Sequence, residues 1–125
     1  MLRLLLIIGA GSFLGGVLRF LASRFIQNTT HSAFPYCTLV INVVGCLLIG
    51  FLYGISVREN ILNPEWRMFL TVGFCGGFTT FSTFINENVA LLRDGDFFHF
   101  AFYTGLSIFL GLIAVFLGNY ITKML

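Results

Sequence analysis

Four stretches of this chain carry almost no charge over the length of a membrane crossing: Leu4 to Ile26, Thr38 to Val57, Met68 to Leu92 and Phe97 to Thr122. An α-helix needs about 20 mainly apolar residues to cross roughly 30 Å of hydrocarbon, and each stretch is that long. Inside lipid every backbone N–H and C=O must be satisfied within the protein, so only helices or a closed barrel can span it. A barrel strand alternates apolar and polar residues, whereas these runs are apolar on all sides, so strands are excluded. Composition points the same way. Only 10% of residues are charged and 58% are hydrophobic, against roughly 25% charged in a soluble domain. The expected fold class is all-α and integral to the membrane. It comprises one four-helix transmembrane domain over residues 1–125, with spans at about 4–26, 38–57, 68–92 and 97–122.

Short polar connectors separate the spans: Gln27 to Pro35 with Asn28-Thr29-Thr30-His31, Arg58 to Pro64, and Arg93-Asp94-Gly95-Asp96. Tyr36, Trp66 and Tyr120 fall at span ends, where amphipathic rings suit the headgroup level. Met1-Leu2-Arg3 followed by an apolar run resembles a signal peptide, but the apolar pattern continues to Leu18, which reads as a retained first span. The net charge of +2 is spread along the chain without a basic run, which argues against nucleic-acid binding. Three cysteines, Cys37, Cys46 and Cys75, are too few and too deeply set for a disulfide framework, and read as small apolar residues. His31 and His99 lie near span ends, no HExxH or CxxC spacing occurs, and the carboxylates sit in connectors except Glu87; an enzyme is not expected.

Orientation should follow the Lys/Arg count of the loops. The two termini and the middle connector share one side and hold Arg3, Arg58, Arg67 and Lys123. The other side holds Arg24 and Arg93, with Arg19 if it snorkels that way. So small a bias predicts insertion in both directions, and two opposed copies can then pair about a two-fold axis lying in the membrane plane.

Several residues inside the spans are not explained by lipid contact alone. The third span contains Gly73-Phe74-Cys75-Gly76-Gly77-Phe78-Thr79-Thr80-Phe81-Ser82-Thr83-Phe84. Adjacent glycines followed by hydroxyl residues make a poor continuous helix, since glycine costs about 1 kcal/mol and Ser/Thr offer the backbone competing hydrogen bonds. Either the helix breaks near Gly76 to Thr80, freeing carbonyls that suit a small cation such as Na⁺, or the glycines simply permit close helix crossing. Phe81 and Phe84 share a face, and are either simple lipid or core contacts, as most pairs among sixteen phenylalanines are, or rings whose positive edges suit a small anion; Thr80, Thr83 and Glu87 follow a second face. Asn42 is the strongly polar side chain of the second span, either interhelix glue or an N–H donor to an anion, with Cys46, Gly50 and Gly54 continuing a small-residue face. In the first span Gly11 and Gly15 form a GxxxG pair, and Arg19 either anchors the helix or lines a wet vestibule. Tyr103, Ser107 and Gly111 stand at intervals of four in the fourth span, bordered by Thr104; Gly111, Ala114 and Gly118 form a packing edge.

Three segments, Gly15-Gly16-Val17-Leu18-Arg19-Phe20, Thr38-Leu39-Val40-Ile41-Asn42-Val43-Val44-Gly45 and Gly73 to Phe84, resemble the signature segments of the bacterial fluoride channel family, called Fluc or CrcB. The resemblance covers nearly the whole chain. It implies a dual-topology antiparallel homodimer in the bacterial inner membrane, a multi-pass protein with two pores that lets cytoplasmic fluoride leave passively and so lowers its toxicity. Matched by motif, the backbone carbonyls of Gly76 and Thr79 from both subunits would hold a central structural Na⁺. Phe81 and Phe84 would contact fluoride by their ring edges, with Ser82 and Thr83 beside them in the pathway. Asn42 would donate its amide, Tyr103 and Ser107 would form a polar track, and Arg19 would attract anions at a vestibule. Gly111 departs from members that carry another hydroxyl there. A pore for so strongly hydrated an ion must replace water with donors and positive edges.

Two rivals remain at this level. A small proton-coupled multidrug exporter also has four helices, but it requires a membrane carboxylate in the first helix, and here Glu87 is the sole candidate. A non-transporting assembly subunit would use Asn42 and the glycines as glue alone.

Overall fold

A computed structural model describes residues 1–30, 34–58 and 61–125. His31, assigned above to the first connector, lies outside the described residues, as do Ser32, Ala33, Glu59 and Asn60 of the connectors. The described residues are helical with no strand, and four helical stretches are long and apolar enough to cross a membrane.

Helix α1 runs Leu2–Thr29, carrying on through Gln27, Asn28 and Thr29 that the sequence reading gave to a connector. The cause is local. The Thr29 hydroxyl donates to the Ile26 carbonyl at 2.9 Å and the Thr30 hydroxyl to the same oxygen at 2.6 Å. The Thr30 N–H donates to that same oxygen at 3.0 Å, so the last turn closes on residues that polarity alone would place in a loop. Helix α2 spans Tyr36–Val57, entered from Pro35. The third span begins with an Asn63 cap, whose side-chain oxygen accepts from the Trp66 N–H at 2.8 Å, and with Pro64 in the first turn, where its missing N–H costs nothing. Helix α3 covers residues 64–78: α-helical over Pro64–Met68, π-helical over Phe69–Cys75 and α-helical again over Gly76–Phe78. Thr79 and Thr80 then take extended backbone angles, with ψ of 160° and 117°. Helix α4, Phe81–Arg93, starts under the Thr80 hydroxyl, which accepts from the Thr83 N–H at 3.3 Å. Gly95, at φ 74°, turns the chain by a left-handed conformation that a side chain would resist, and Asp96 caps helix α5, Phe97–Met124, through the His99 N–H at 3.2 Å.

Small residues set how the helices meet. Between α1 and α3, a Cβ on Gly11 would stand 3.0 Å from the Phe74 nitrogen, and one on Gly77 would stand 3.0 Å from the Ser12 Cα. Between α2 and α5, Gly50 lies on the Val115 backbone and Gly118 on the backbone of Leu47 to Phe51. Lipid tails are as apolar as leucine, so helices in a membrane are held by such close backbone approach rather than by exclusion of water. Arg3 pairs with Glu65 at 3.0 Å, and Arg58 donates to the Thr122 carbonyl, so the start of α1, the end of α2, the start of α3 and the end of α5 gather at one end. Helix α4 meets α5 through a buried cluster that includes Phe84, Leu91 and Tyr103, joined by Phe34 and Leu39.

Candidate functional site

The two extended residues leave a gap in the helical hydrogen-bond ladder, and one side chain closes it. Asn42 on α2 accepts from the Thr80 N–H at 2.9 Å and donates through Nδ2 to the Thr80 carbonyl at 3.0 Å. Both ends of the amide are therefore committed to one backbone residue, and one N–H of the Nδ2 group remains for another acceptor. Because the Thr80 N–H is spent on Asn42, the Gly76 carbonyl loses its regular partner four residues on. The Thr79 carbonyl lies 3.4 Å from Arg19 Nη1, so the arginine of α1 reaches back to the interruption.

Around this point lies a cavity of about 420 Å³, bordered by Asn42, Cys46, Gly76, Thr80, Phe81 and Ser107, with Thr71, Thr79 and Phe84 also on its wall. Phe81 and Phe84 stand 6.0 Å apart at 38°, but their environments differ: Phe81 is 75% exposed and Phe84 only 8%. Phe84 is fixed by Tyr103, whose ring meets it edge-on at 5.0 Å and is itself fully buried. The Ser107 hydroxyl is buried and has no hydrogen-bond partner. The Cys46 sulfur lies 3.4 Å from where a Cβ on Gly111 would stand, so the thiol closes on the space left by that glycine.

A second cavity of about 420 Å³ lies toward the other end, bordered by Ser23, Gln27, Thr38, Thr83, Glu87 and Asp94. There Glu87 accepts from the Thr38 hydroxyl and, at 3.5 Å, from the Tyr103 hydroxyl, while the Thr80 and Thr83 hydroxyls are 3.1 Å apart. Tyr103 thus touches Phe84 on the wall of the first cavity and Glu87 on the wall of the second.

Of the residues singled out from the sequence, Asn42, Gly76, Thr79, Phe81, Phe84 and Ser107 meet at the first cavity, Thr83 borders the second, and Tyr103 links them. Arg19 touches the interruption from outside, while Ser82 is exposed and borders neither cavity. Sequence reading did not find the π-helical segment that carries Thr71 and Cys75 onto the cavity wall, because a one-residue change of hydrogen-bond register over seven residues leaves no mark in an apolar pattern. Nor did it find Asn88, which is 5% exposed; the polar run Asn86-Glu87-Asn88 within an apolar span was the available signal. Among the described residues no three His, Cys, Asp or Glu side chains come together as a metal cluster, so a cation at the interruption would be held by neutral oxygens.

Known proteins are similar to this sequence over nearly its full length. Residues 6–119 match the family model described as CrcB-like protein, Camphor Resistance (CrcB). A protein of Flavobacterium psychrophilum is 44% identical over 118 residues, 94% of this chain and 95% of its own length. One from Bacteroides fragilis is 47% identical over 114 residues, 89% of each chain, and one from Chlorobium phaeobacteroides is 42% identical over 120 residues, 96% of this chain and 93% of its own. Each of the three is named a fluoride-specific ion channel, FluC. On this match, and with four helices able to span a bilayer, the chain belongs to the CrcB family of multi-pass bacterial membrane proteins.

Proposed function

We propose that this chain is a fluoride-selective channel that lets the ion leave the cell down its electrochemical gradient. The observation that carries the reading is the first cavity: an amide, a threonine backbone, an unpartnered serine hydroxyl and two phenylalanines are set around a break in a membrane helix. A small anion stripped of water needs N–H and O–H donors and positive ring edges, and this wall offers them without a full positive charge that would trap the ion. The relatives' names agree with that chemistry.

The working unit in this reading is an antiparallel homodimer with two pores. Ser82, Thr83 and Asn86 are exposed on α4, and Gly76 is open with nothing within 4 Å of a Cβ placed on it. Polar side chains and unpaired backbone at membrane depth are tolerated against protein or water rather than lipid, so a second copy is the natural cover. The near balance of Lys/Arg between the two sides supports opposed insertion.

The carbonyls of Gly76 and Thr79 fit a small hard cation. The first lacks its helical partner, the second meets only a long contact from Arg19, and a carbonyl oxygen has two lone pairs. In the reading offered here these oxygens from both subunits would hold Na⁺, which when bound would supply a fixed positive charge that steadies the pair. Asn42 holds the extended backbone that presents those oxygens. Phe81 and Phe84 would shape the anion's passage, and Thr83, Tyr103 and Ser107 would continue it toward Glu87, with Ser82 facing the second copy and Arg19 drawing anions to its mouth.

Fluoride efflux from liposomes, followed with a fluoride electrode, tests this. Efflux is expected to be passive, to be unchanged by a pH gradient, and to fall strongly with Phe81→Ile or Asn42→Asp; wild-type rates in both variants would refute the site. The alternative of a proton-coupled exporter draws on Glu87, a carboxylate within the third span that borders a cavity. Drug transport driven by a proton gradient, with no fluoride flux, would favour it.

A further inference from the structure

Asn88 is 5% exposed in the middle of α4, and its amide is engaged at both ends. Its Nδ2 donates to the Phe84 carbonyl at 3.0 Å, and its Oδ1 accepts from the Thr104 hydroxyl of α5 at 3.1 Å. Asn88 and Thr104 border neither cavity. An amide buried in an apolar span is costly unless it is hydrogen-bonded, and a leucine there would fill a similar volume with no such demand. What the amide supplies, and an apolar side chain does not, is a fixed register between two helices.

The residue whose register it fixes is Phe84. The Phe84 ring meets Tyr103 edge-on at 5.0 Å, and the Tyr103 hydroxyl reaches Glu87 at 3.5 Å. Adjacent residues of α5, Tyr103 and Thr104, thus grip adjacent residues of α4, Glu87 and Asn88, while the Phe84 ring meets Tyr103 of α5 and its carbonyl is bonded by Asn88 one turn on in its own helix. Edge-to-face ring contacts tolerate sliding over a broad range of centroid separations, but a hydrogen bond weakens steeply outside its narrow geometry. Of the two polar ties, the Thr104 to Asn88 bond at 3.1 Å is the shorter and the Tyr103 to Glu87 contact at 3.5 Å the longer, so the first is the firmer restraint on α4 slipping along α5.

We propose that Asn88 is a positioning residue of the ion pathway: with Thr104 it forms an interhelix latch that fixes the Phe84 ring at the angle the passing anion meets. The proposal rests on the channel reading above and adds to it a pair of residues that touch neither the ion nor the cavity.

The test uses the full chain in bilayers and reads unitary conductance, which a loss of folded channels alone does not change. Thr104→Val removes the donor at nearly constant shape, Thr104→Ser keeps it, and Asn88→Leu removes the amide. Loss of one buried hydrogen bond corresponds to about a fivefold change in a rate. Unitary fluoride conductance is expected to fall about that far in Thr104→Val and Asn88→Leu, to fall no further in the double variant, and to return in Thr104→Ser. Wild-type unitary conductance in both single variants would overturn the proposal, as would fully additive losses. A second readout needs no transport. With 4-fluorophenylalanine introduced at position 84 and fluoride-free buffer, the ¹⁹F resonance is expected to shift or broaden in Thr104→Val and Asn88→Leu and to return in Thr104→Ser. An unchanged resonance refutes positioning. If the wild-type protein conducts no fluoride the channel reading fails, and the resonance alone then decides whether the latch holds the ring.

Discussion

Replacing Asn42 by Asp separates its two tasks. The carboxylate still accepts from the Thr80 N–H, so that half of the clamp survives, but the donor to the Thr80 carbonyl becomes a second acceptor facing an acceptor. An unmet buried group costs about 1–3 kcal/mol, so the fold should lose about that much and persist. The effect on an anion in the same cavity is larger. A unit charge about 5 Å away at an effective dielectric constant of about 20 repels it by roughly 3 kcal/mol. At about 1.4 kcal/mol per tenfold change, that is a rate loss of about two orders of magnitude. Asn42→Ala is the control: both hydrogen bonds go and no charge arrives, so stability suffers more and conduction less. The assay is electrode-detected fluoride efflux from liposomes at neutral pH, with size-exclusion profiles to confirm folded protein. A protonated carboxyl would restore the donor to the Thr80 carbonyl and carry no charge, so efflux is compared at neutral and alkaline pH; a monodisperse Asp variant that conducts at the wild-type rate at both would refute the reasoning.

Other perturbations test the packing and the ends. Gly15→Ala should destabilise the protein by about 2 kcal/mol or more, because the added methyl meets the Phe78 nitrogen at 2.9 Å, whereas Gly16→Ala, with nothing within 4 Å, should leave it unchanged in a thermal-shift assay; equal effects would contradict the α1–α3 contact. Asp96 is held below the ordinary carboxylate range by its hydrogen bonds to the His99 ring and backbone N–H. Its ionised form therefore favours the folded state above the unfolded value of about 3.9, and that stabilisation is lost as pH falls through the lower folded value. The stability gap between wild type and Asp96→Asn should accordingly be present at neutral pH and close as pH falls below the ordinary carboxylate range; a gap independent of pH would count against the pairing. A reporter fused to the carboxyl end should be active on both sides of the membrane, and activity on one side alone would contradict opposed insertion.

Much of the architecture was legible because it follows from length and apolarity alone. The four spans are set by the need to bury backbone over a fixed thickness, and the small faces Gly11/Gly15, Gly50/Gly54 and Gly111/Gly118 show in spacing because close approach requires missing side chains. Helix ends were less legible. The sequence reading stopped α1 at Ile26, since Gln27-Asn28-Thr29 look like a loop, but threonine hydroxyls folding back on the Ile26 carbonyl extend it. The candidate site was legible as residue types, not as roles. Asn42 offered itself equally as glue or donor, and only coordinates show both ends of its amide on Thr80.

The sequence by itself determined that this chain lives in a bilayer, crosses it with helices, and concentrates polarity and glycine in the third span, because hydrophobic thickness and backbone satisfaction act on each segment separately. The tertiary structure decided which polar groups meet. It brought Asn42 to Thr80 across 38 residues and Thr38 to Glu87 across 49, and it set Thr104 on Asn88, buried Phe84 and left Phe81 exposed. Such pairings depend on helix rotation and register, which are fixed by packing between segments and leave no trace in the pattern of any one of them.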